Sequence, residues 1–490
     1  MNFSIIFRLL SAIQFSLGLA FLVCMGTDLI FRDSTDNTTL WGFAYSLIVA
    51  LVTGSLLLFL GRKKESTFFK KEALAVIGLG WISASLVGAL PYMFILENCS
   101  YPDALFEAAS GLSTTGASIF SEFEHFPKSL LFWRSLSQWI GGMGVVVFFI
   151  AILSFLGAGG KILYSNEASA SAADLDSPRI QSGVIRIGVL YLILSLLCMI
   201  AFKLGGMGTF DAINHAFTTL STGGFSTLEA SFAGFHSPLL EWIAIVFMIA
   251  GGTSFLWILF LAKRSWRNVR SNSEVLSFFG IILLATTLTT LVIVFLDGYS
   301  NWNDAIRTSL FQVVSVMTTT GFATADFAEW HLLAQVMLMA LMAVGGCSGS
   351  TAGGLKVTRI QVGLKAARRM IANSFSKRVV RPITMNGRVL NKNSREEVVT
   401  YLLLSAWVIF FSVPLLAILE PELSYEGSYS AILACFFNIG PGMAEFGPSH
   451  NFGFLHDSSK YLLSFLMIMG RLELYAILAL FLPSFWKRFS

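Results

Sequence analysis

The stretch Ser113-Thr114-Thr115-Gly116-Ala117-Ser118 is a short polar turn between two long apolar segments, and related turns recur along the chain. Two close copies are Ser221-Thr222-Gly223-Gly224-Phe225-Ser226 and Thr318-Thr319-Thr320-Gly321-Phe322-Ala323. A more divergent copy is Asn438-Ile439-Gly440-Pro441-Gly442-Met443. Four such turns in one chain predict a ring of similar modules with pseudo-fourfold symmetry.

The composition places these turns in a membrane protein. Of the 490 residues, 55% are hydrophobic and only 13% are charged, and the mean hydropathy is +0.71. Soluble domains carry about 25% charged residues, so this chain lacks the charge that a water-facing surface needs. Its repeated apolar stretches of about 20 residues are long enough to cross a bilayer core as helices. We therefore expect an all-α polytopic protein embedded in a lipid bilayer.

The first 71 residues are predicted to form a unit of their own. Residues 1–31 and 41–60 are expected to be membrane helices. A basic cluster follows them, Arg62-Lys63-Lys64 and then Lys70-Lys71. Because basic loops beside membrane helices stay in the cytoplasm, the N-terminus is predicted to be cytoplasmic too.

The remaining chain divides into four repeats, predicted at residues 72–160, 161–263, 264–394 and 395–490. Each repeat has an outgoing membrane helix, a half-helix, the turn and a returning membrane helix. The outgoing helices are expected at 73–96, 182–204, 275–296 and 398–419, and the half-helices at 103–112, 211–220, 304–317 and 425–437. The return helices are expected at 130–156, at 239–262, from 331 onward and at 460–481. A half-helix with its turn is too short to span, so it must re-enter, where protein or a watery cavity surrounds its backbone.

Three of the half-helices begin with an aspartate: Asp103, Asp211 and Asp304. Aspartate is a favoured N-cap and suits the positive end of the helix dipole. The negative end of each half-helix then points toward the turn, which favours a cation at the centre. Ordinary helix capping explains the same residues, and the two interpretations are compatible.

Loop charges differ between the two sides of the predicted topology. The long cytoplasmic segment at 356–395 is basic, with Lys365, Arg368, Arg369, Lys377, Arg378, Arg381, Arg388 and Lys392. The outer loops are acidic, with Glu122, Glu124, Glu229, Asp297, Asp326, Glu329, Glu420, Glu422, Glu445 and Asp457. An acidic vestibule would concentrate cations, although solvated loop charges explain part of this pattern.

Residues for catalysis or for a resident cofactor do not converge in the sequence. The five cysteines are scattered without metal or disulfide spacing, which is typical of small packing residues. The threonines of the turns have no base beside them, and His215 is a lone histidine. We therefore predict a protein that is not an enzyme, with no catalytic residue and no cofactor. The net charge of +4 does not indicate a nucleic-acid partner.

Glycines interrupt each return helix at a similar depth: Gly141-Gly142, Gly251-Gly252, Gly345-Gly346 and Gly470. The third interruption continues as Gly345-Gly346-Cys347-Ser348-Gly349-Ser350-Thr351-Ala352-Gly353-Gly354-Leu355-Lys356. Because glycine disfavours helix, this segment is predicted to be a mobile gating loop. A nucleotide-binding P-loop would need a different residue order and a preceding strand.

Arg471, in Gly470-Arg471-Leu472-Glu473, lies inside an apolar run. Charges at membrane depth usually face a cavity or a partner, so Arg471 is predicted to lie in an ion path and to act with the gating loop. A structural pair with Glu473 and a snorkelling side chain are the alternatives. Arg134 and Lys128 lie near the outer end of a return helix and are expected at the membrane interface.

A ring of four turns with inward carbonyl groups can replace the hydration shell of a potassium ion. The four turns, the long glycine loop and Gly470-Arg471-Leu472-Glu473 together resemble the Trk/Ktr/HKT superfamily of potassium transporters. The closest resemblance is to the membrane-spanning subunit of bacterial Trk-type uptake systems (TrkH/TrkG-like). Trp139-Ile140-Gly141-Gly142-Met143-Gly144 also resembles that subunit.

The resemblance implies a potassium uptake protein of the bacterial inner membrane, a homodimer with one pore per protomer. It also implies a cytoplasmic nucleotide-binding regulatory partner (TrkA-like), for which the basic segment is a plausible docking surface. The implied filter residues are Thr114, Thr115, Gly116, Thr222, Gly223, Gly224, Thr319, Thr320, Gly321, Asn438, Ile439 and Gly440. The implied gate residues are Gly345, Gly346, Ser348, Gly349, Ser350, Thr351, Gly353, Gly354 and Arg471. Glycine at all four filter positions favours potassium over sodium.

Rival functions differ in the residues that they require. A proton- or sodium-coupled potassium symporter would need carboxylates along the path, and Glu473 is one of few within the membrane. A membrane enzyme would need a convergent catalytic or metal cluster, and a structural protein would not need four re-entrant turns. We therefore favour a channel-like pathway driven by the membrane potential.

Overall fold

Helices make up most of the part of the chain that the computed structural model describes, residues 1–31, 37–62, 70–144, 180–375, 382–386 and 388–487. The predicted cytoplasmic residues Lys63, Lys64, Lys377, Arg378 and Arg381 lie outside this part. The end of the return helix predicted at 130–156 also lies outside it.

The two N-terminal helices agree with the prediction. They are α1 (Phe3–Phe31) and α2 (Thr38–Leu60). Helix α1 packs against α2 on one side and against the first repeat on the other. Within the described residues, six helices are long and apolar enough to cross a membrane, and one bent helix pair adds a possible seventh span.

The four repeats follow in chain order. The first consists of α3 (Lys70–Gly88), α4 (Leu90–Ile95), α5 (Tyr101–Leu112) and α6 (Lys128–Met143). The second consists of α7 (Ile180–Leu204), α8 (Thr209–Leu220), α9 (Pro238–Gly252) and α10 (Phe255–Ala262), after which comes the short α11 (Trp266–Ser271). The third consists of α12 (Ser273–Phe295), α13 (Trp302–Met317), α14 (Leu332–Val344) and α15 (Val357–Phe375).

The fourth repeat begins after a small hairpin that the sequence did not predict, β1 (Thr384–Met385) with β2 (Arg388–Val389). Its helices are α16 (Lys392–Leu419), α17 (Tyr425–Phe436), α18 (Asp457–Arg471), α19 (Tyr475–Leu480) and α20 (Pro483–Trp486). Helices α5, α8, α13 and α17 are the four re-entrant half-helices. A short 3₁₀ helix follows each turn: Phe123–His125, Ser231–Phe235, Phe327–Glu329 and Ala444–Phe446. The all-α architecture of repeats is confirmed.

The three aspartates are not the N-caps of their half-helices, as the sequence suggested, but the third helical residues. In α5 the N-cap is Ser100, whose hydroxyl accepts a hydrogen bond from the main-chain N–H of Asp103. The Asp103 carboxylate accepts in return from the main-chain N–H of Ser100 at 3.4 Å. This reciprocal arrangement is a capping box, and it moves the start of the helix two residues toward the N-terminus. The carboxylate still lies at the positive helix end.

The second return helix, predicted at 239–262 with an interruption at Gly251-Gly252, is broken at that point. Helices α9 and α10 meet at an angle of 105°, at Thr253 and Ser254. The main-chain carbonyls of Gly251 and Gly252, at the end of α9, accept hydrogen bonds from Thr351 N at 3.2 Å and Cys347 N at 2.9 Å. The glycine loop of the third repeat therefore takes the place of the missing helical turn.

The fourth return helix, predicted at 460–481 with an interruption at Gly470, is also interrupted. Helix α18 ends at Arg471, and Glu473 and Leu474 have φ values of 55° and 66°. Left-handed backbone at two successive non-glycine residues cannot continue an α-helix. The helix therefore breaks at these residues and resumes at Tyr475.

Candidate functional site

All four turns have the same backbone conformation. One glycine of each turn, here called the ring glycine, is Gly116, Gly224, Gly321 or Gly440. The residue two positions before it has a φ near 55°, namely Thr114 at 55°, Thr222 at 53°, Thr319 at 56° and Asn438 at 58°. The glycine itself is also left-handed, with φ of 85° at Gly116, 81° at Gly224, 80° at Gly321 and 104° at Gly440. Asparagine tolerates this region better than most residues, which explains how the fourth turn keeps the shape without threonine.

Each turn is a direct continuation of its half-helix. The main-chain N–H of the residue before the glycine donates to the carbonyl five residues earlier, at 2.8 to 2.9 Å in every repeat. The four bonds are Thr115 to Ser110, Gly223 to Thr218, Thr320 to Ser315 and Ile439 to Ala434. The C-terminal ends of the half-helices, which carry the negative end of the dipole, therefore all point into the turns.

The four turns meet in a closed ring. A Cβ atom added to Gly116 would collide with the main-chain oxygen of Gly223, and one added to Gly224 would collide with that of Thr320. Likewise Gly321 faces the oxygen of Ile439, and Gly440 faces the oxygen of Thr115 at 2.9 Å from the added Cβ. Each glycine thus packs on the carbonyl that precedes the glycine of the next turn. Both the positive φ and this close approach require glycine.

A cavity of about 200 Å³ lies on the side of the ring formed by the residues that follow the glycines. Its lining includes Gly116, Gly224, Gly321, Gly440, Glu229 and Arg134. The ring is therefore open to a polar space on this side.

Arg134 does not lie at the membrane interface, as predicted, but is buried beside the ring with 2% of its surface exposed. Its Nε lies 2.8 Å from Oε1 of Glu107, a carboxylate with no exposed surface. Its guanidinium lies between the rings of Phe123 and Phe225, 4.4 and 4.3 Å from their centroids. The sequence signal for this pair was a carboxylate and an arginine in one repeat, because Glu107 is the only charged residue of its half-helix after Asp103. Lys128, in contrast, is half-buried at the start of α6.

The Arg134–Glu107 pair holds the segments just after the first two turns. Glu107 accepts from the main-chain N–H of Ile119 at 3.2 Å, and both Glu107 and Arg134 contact the Ser118 hydroxyl. Arg134 also donates to the carbonyl of Ser226 at 3.3 Å. The pair therefore links the first repeat to the second.

The glycine loop at 345–354 binds residues that precede the ring glycines, opposite to the cavity. Gly353 N donates to the hydroxyl of Thr319 at 2.6 Å, and Gly354 N donates to the carbonyl of Phe437 at 3.0 Å. The Thr351 hydroxyl donates to the carbonyl of Leu220 at 2.9 Å. The loop thus contacts three of the four turn regions at once, and no helix forms between Gly345 and Lys356.

Two further contacts hold the glycine loop, one to α12 and one to Lys356, which lies just after the loop. Ser348 N donates to Oε1 of Glu274 at 2.5 Å, and Glu274 is 4% exposed at the start of α12. Lys356 Nζ donates to the carbonyl of Ala352. The loop is therefore bound by the first turn of α12 as well as by its own end.

Arg471 lies directly under this loop. Its guanidinium donates to the carbonyl of Thr351 at 2.7 Å and to that of Gly141 at 3.2 Å. Glu473, the alternative partner suggested by the sequence, forms an ion pair with Arg359 at 2.5 Å. The guanidinium of Arg359 in turn lies 4.1 Å from the ring centroid of Tyr401. Arg471 therefore links α6 of the first repeat to the glycine loop of the third repeat.

One carboxylate of the outer loops is bound by neutral donors. Glu445, in the 3₁₀ helix after the fourth turn, accepts from Ser424 N at 3.1 Å and from the Ser424 hydroxyl at 2.8 Å. Burial alone would raise the pKa of Glu445, but hydrogen bonds from its own main-chain N–H and from Ser424, together with the nearby His450, hold this pKa below its ordinary value. The contact ties the fourth turn to the start of α17.

Among the residues that the structure describes, no three histidines, cysteines or carboxylates are grouped so as to hold a metal ion. His215, the lone histidine, hydrogen-bonds through Nε2 to the Ser226 hydroxyl at 3.1 Å and is fully buried. It occupies the place in the second repeat that Glu107 occupies in the first, nine residues before the ring glycine. Its role is to bind the segment after the turn.

Comparison with known proteins identifies the family. A family model described as TrkH, cation transport protein, matches residues 41–488. The Trk system potassium uptake protein TrkH of Escherichia coli (strain K12) is 35% identical over 462 residues, which cover 94% of each chain. The TrkH of Vibrio parahaemolyticus serotype O3:K6 is 32% identical over 99% of this chain and 100% of its own.

A solved structure gives the same result for the fold. The crystal structure of the potassium transporter TrkH from Vibrio parahaemolyticus superposes with a TM-score of 0.87 and 31% identity, covering 99% of this chain and 100% of that chain. The prediction of a transporter rather than an enzyme is confirmed, because the family consists of ion transporters. The chain is a membrane protein that belongs to the TrkH family of cation transport proteins.

Proposed function

We propose that this chain takes up potassium ions through the ring formed by its four turns. The observation that carries the proposal is the closed contact of each ring glycine with the carbonyl of the next turn. Rings of main-chain carbonyls replace the water around potassium ions in membrane proteins. The relatives described above are named as potassium uptake proteins, which supports potassium as the ion.

The ion-binding residues in this proposal are those of the turns themselves. They are Thr114, Thr115, Gly116, Thr222, Gly223, Gly224, Thr319, Thr320, Gly321, Asn438, Ile439 and Gly440. These residues would bind the ion mainly through their main-chain carbonyl oxygens. The Asn438 side-chain amide does not face the ion in this proposal, because it donates to the Thr115 hydroxyl at 2.9 Å and so holds two turns together. The four half-helix dipoles add negative potential at the same point.

The gate in this proposal is the glycine loop with Arg471. Its residues are Gly345, Gly346, Ser348, Gly349, Ser350, Thr351, Gly353, Gly354 and Arg471. The hydrogen bonds from the loop to Thr319, Phe437 and Leu220 support a position across the ion path below the ring. Movement of the loop would release the Thr351 carbonyl from Arg471 and move a positive charge away from the path.

A channel-like mechanism is favoured over coupled transport because of the partners of three carboxylates near the ring and the glycine loop. Glu107 is bonded to Arg134, Glu473 to Arg359, and Glu274 to the N–H of Ser348. Each of these three carboxylates already has a partner and is not available to bind a transported proton or sodium ion. The membrane potential would then drive potassium inward, at about 2.3 kcal/mol per charge per 100 mV.

The assembly and orientation complete the proposal. We place the protein in the bacterial inner membrane with a cytoplasmic N-terminus, as a homodimer, and divide the chain into the units predicted from its sequence. The proposed cytoplasmic surface includes α15, which exposes Lys365 and Arg368. A nucleotide-binding TrkA-like subunit would dock on this basic surface.

The test is ion flux into liposomes that contain this chain, with and without an imposed pH gradient. Rubidium and potassium influx that follows the voltage and ignores the pH gradient is the expected result. Influx that requires the pH gradient would establish a coupled carrier instead, and Glu473 would be the first residue to replace. Absence of any potassium or rubidium flux would overturn the proposed function.

The ring assignment has its own test in the variant Gly116→Ser. The added side chain would collide with the Gly223 oxygen and strain a backbone with φ of 85°. Strain of this kind costs about 1–3 kcal/mol, so we expect the potassium-over-sodium preference of flux to fall about tenfold. An unchanged preference in folded protein would contradict the filter assignment.

A further inference from the structure

The residue before each ring glycine has a side chain in three of the four turns. The Thr115 hydroxyl lies 2.6 Å from that of Ser113 and 2.9 Å from the Asn438 amide. The Thr320 hydroxyl lies 2.8 Å from that of Thr318, and Ile439 is fully buried. In these turns a side chain therefore supports the peptide that carries the ring carbonyl. In the second turn this residue is Gly223, which has none.

Gln138, on the return helix α6 of the first repeat, occupies the space of the missing side chain. A Cβ atom added to Gly223 would collide with the side-chain amide of Gln138. The φ of Gly223 is not positive, so the backbone conformation does not require glycine there. Gly223 is thus explained by the presence of Gln138, and not by the shape of the turn.

The Gln138 amide binds the second turn on both sides of Gly224. Its nitrogen donates to the Gly223 carbonyl at 2.6 Å, and its oxygen accepts from the main-chain N–H of Phe225 at 3.1 Å. Gln138 itself is fully buried. A carbonyl oxygen has two lone pairs, so the Gly223 oxygen retains one for an ion in the ring.

The corresponding helix positions in two other repeats are apolar. Gly141, Gly251 and Gly470 each pack on a carbonyl at the end of their own half-helix, those of Leu112, Leu220 and Phe436. Three residues before these glycines stand Gln138, Met248 and Met467, all buried. The polar support from a return helix is therefore a feature of the first repeat, and it coincides with the turn that lacks a side chain.

We propose that Gln138 is a positioning residue that holds the second turn of the ring and thereby maintains the preference for potassium over sodium. The proposal rests on the proposed function of the ring. Without the amide, the peptides on both sides of Gly224 lose their support, and the ring can contract toward a smaller ion. Arg134, four residues earlier on α6, extends the support to the carbonyl of Ser226.

The experiment measures rubidium uptake into liposomes and its inhibition by sodium, for purified variants that are shown to be folded by their elution and thermal unfolding. Gln138→Met introduces the residue found at the matching place in the second and fourth repeats. We expect its potassium-over-sodium preference to fall about fivefold to tenfold, the range of one hydrogen bond to a main-chain group. The matched control Met248→Leu should keep the wild-type preference. A wild-type preference in Gln138→Met would overturn the proposal.

A pair of substitutions tests the exchange of a side chain for the amide. Gly223→Thr alone should lower the potassium-over-sodium preference, because its Cβ would collide with the Gln138 amide and displace the second turn. The double variant Gly223→Thr with Gln138→Ala recreates the arrangement of the first and third turns and should recover most of the preference. If the double variant has no higher potassium-over-sodium preference than Gly223→Thr alone, a side chain at position 223 does not substitute for the Gln138 amide.

Gly116→Ser separates this proposal from the function on which it rests. If Gly116→Ser lowers the preference and Gln138→Met does not, the ring is a filter and Gln138 does not position it. If neither variant changes the preference, the ring is not the filter and both proposals fail.

Discussion

Two arginines, the buried Arg134 and the half-buried Arg471, lie on opposite sides of the ring, and their partners differ. Arg134 lies beside the outer segments of the turns and is bonded to the carboxylate of Glu107. Arg471 lies under the glycine loop and donates to the main-chain carbonyls of Thr351 and Gly141. An ion pair within a single repeat fixes that repeat in place. In the proposed mechanism the guanidinium of Arg471 is released when the loop moves, so the same residue type supports the ring at one site and the proposed gate at the other.

The largest effect is expected from Glu107→Ala. The substitution leaves Arg134 buried without its carboxylate, and breaking a buried pair in this way costs about 3–5 kcal/mol. Thermal and denaturant unfolding in detergent would measure the loss. Glu473→Ala is the matched control, because the Arg359–Glu473 side chains are 11% and 22% exposed and water can compensate for the lost partner. Equal losses in the two variants would show that the burial of the first pair has no special cost.

A large effect on transport, with little effect on folding, is expected from Arg471→Ala. A unit charge about 8 Å from a cation is worth about 2 kcal/mol at an effective dielectric constant of 20. Removing it should raise basal potassium flux by about tenfold or more in the liposome assay. Arg471→Lys keeps the charge and should keep flux near the wild-type level. If the lysine variant conducts as freely as the alanine variant, the carbonyl contacts rather than the charge control the gate.

The smallest effect is expected at Glu445, where neutral donors bind a carboxylate at the outer surface. Because its pKa is held below the ordinary value, the folded state gains stability above about pH 4.5 and loses it as the pH falls through the lowered pKa. Wild-type protein should therefore lose more thermal stability between about pH 6 and pH 4 than Glu445→Gln does. Parallel melting curves across this pH range would show that the carboxylate contributes nothing.

The half-helices and turns were predictable because local rules determine them. Helices α8, α13 and α5 end at the predicted residues 220, 317 and 112, and α17 ends one residue earlier than predicted. The starts of α5 and α13 lie two residues before the predicted ones because Ser100 and Asn301, rather than the aspartates, cap these helices. Glycines also marked the interruptions of the second, third and fourth return helices, whereas α6 continues through Gly141-Gly142 to Met143. The angle of 105° between α9 and α10 depends on the loop that packs there.

The buried polar contacts were not predictable, since their partners are distant in sequence. Arg134 was expected at the membrane interface because it lies near a helix end. Instead it is buried, because it pairs with Glu107, which lies 27 residues earlier in the chain. Gln138 binds the turn at Gly223 and Phe225, 85 and 87 residues later. No periodicity or local motif records such a pairing.

The sequence by itself determined the membrane class, the four repeats and the conformation of each turn. These features depend on hydropathy, on helix-ending signals and on glycine at positions of positive φ, all of which act over a few residues. Only the tertiary structure decided which turn touches which, that Gln138 replaces the side chain absent at Gly223, and that Arg471 lies beneath the loop at Thr351. The physical reason is that a buried donor or carbonyl is stabilised by whichever partner the packing of helices brings within about 3 Å, and that packing involves the whole chain.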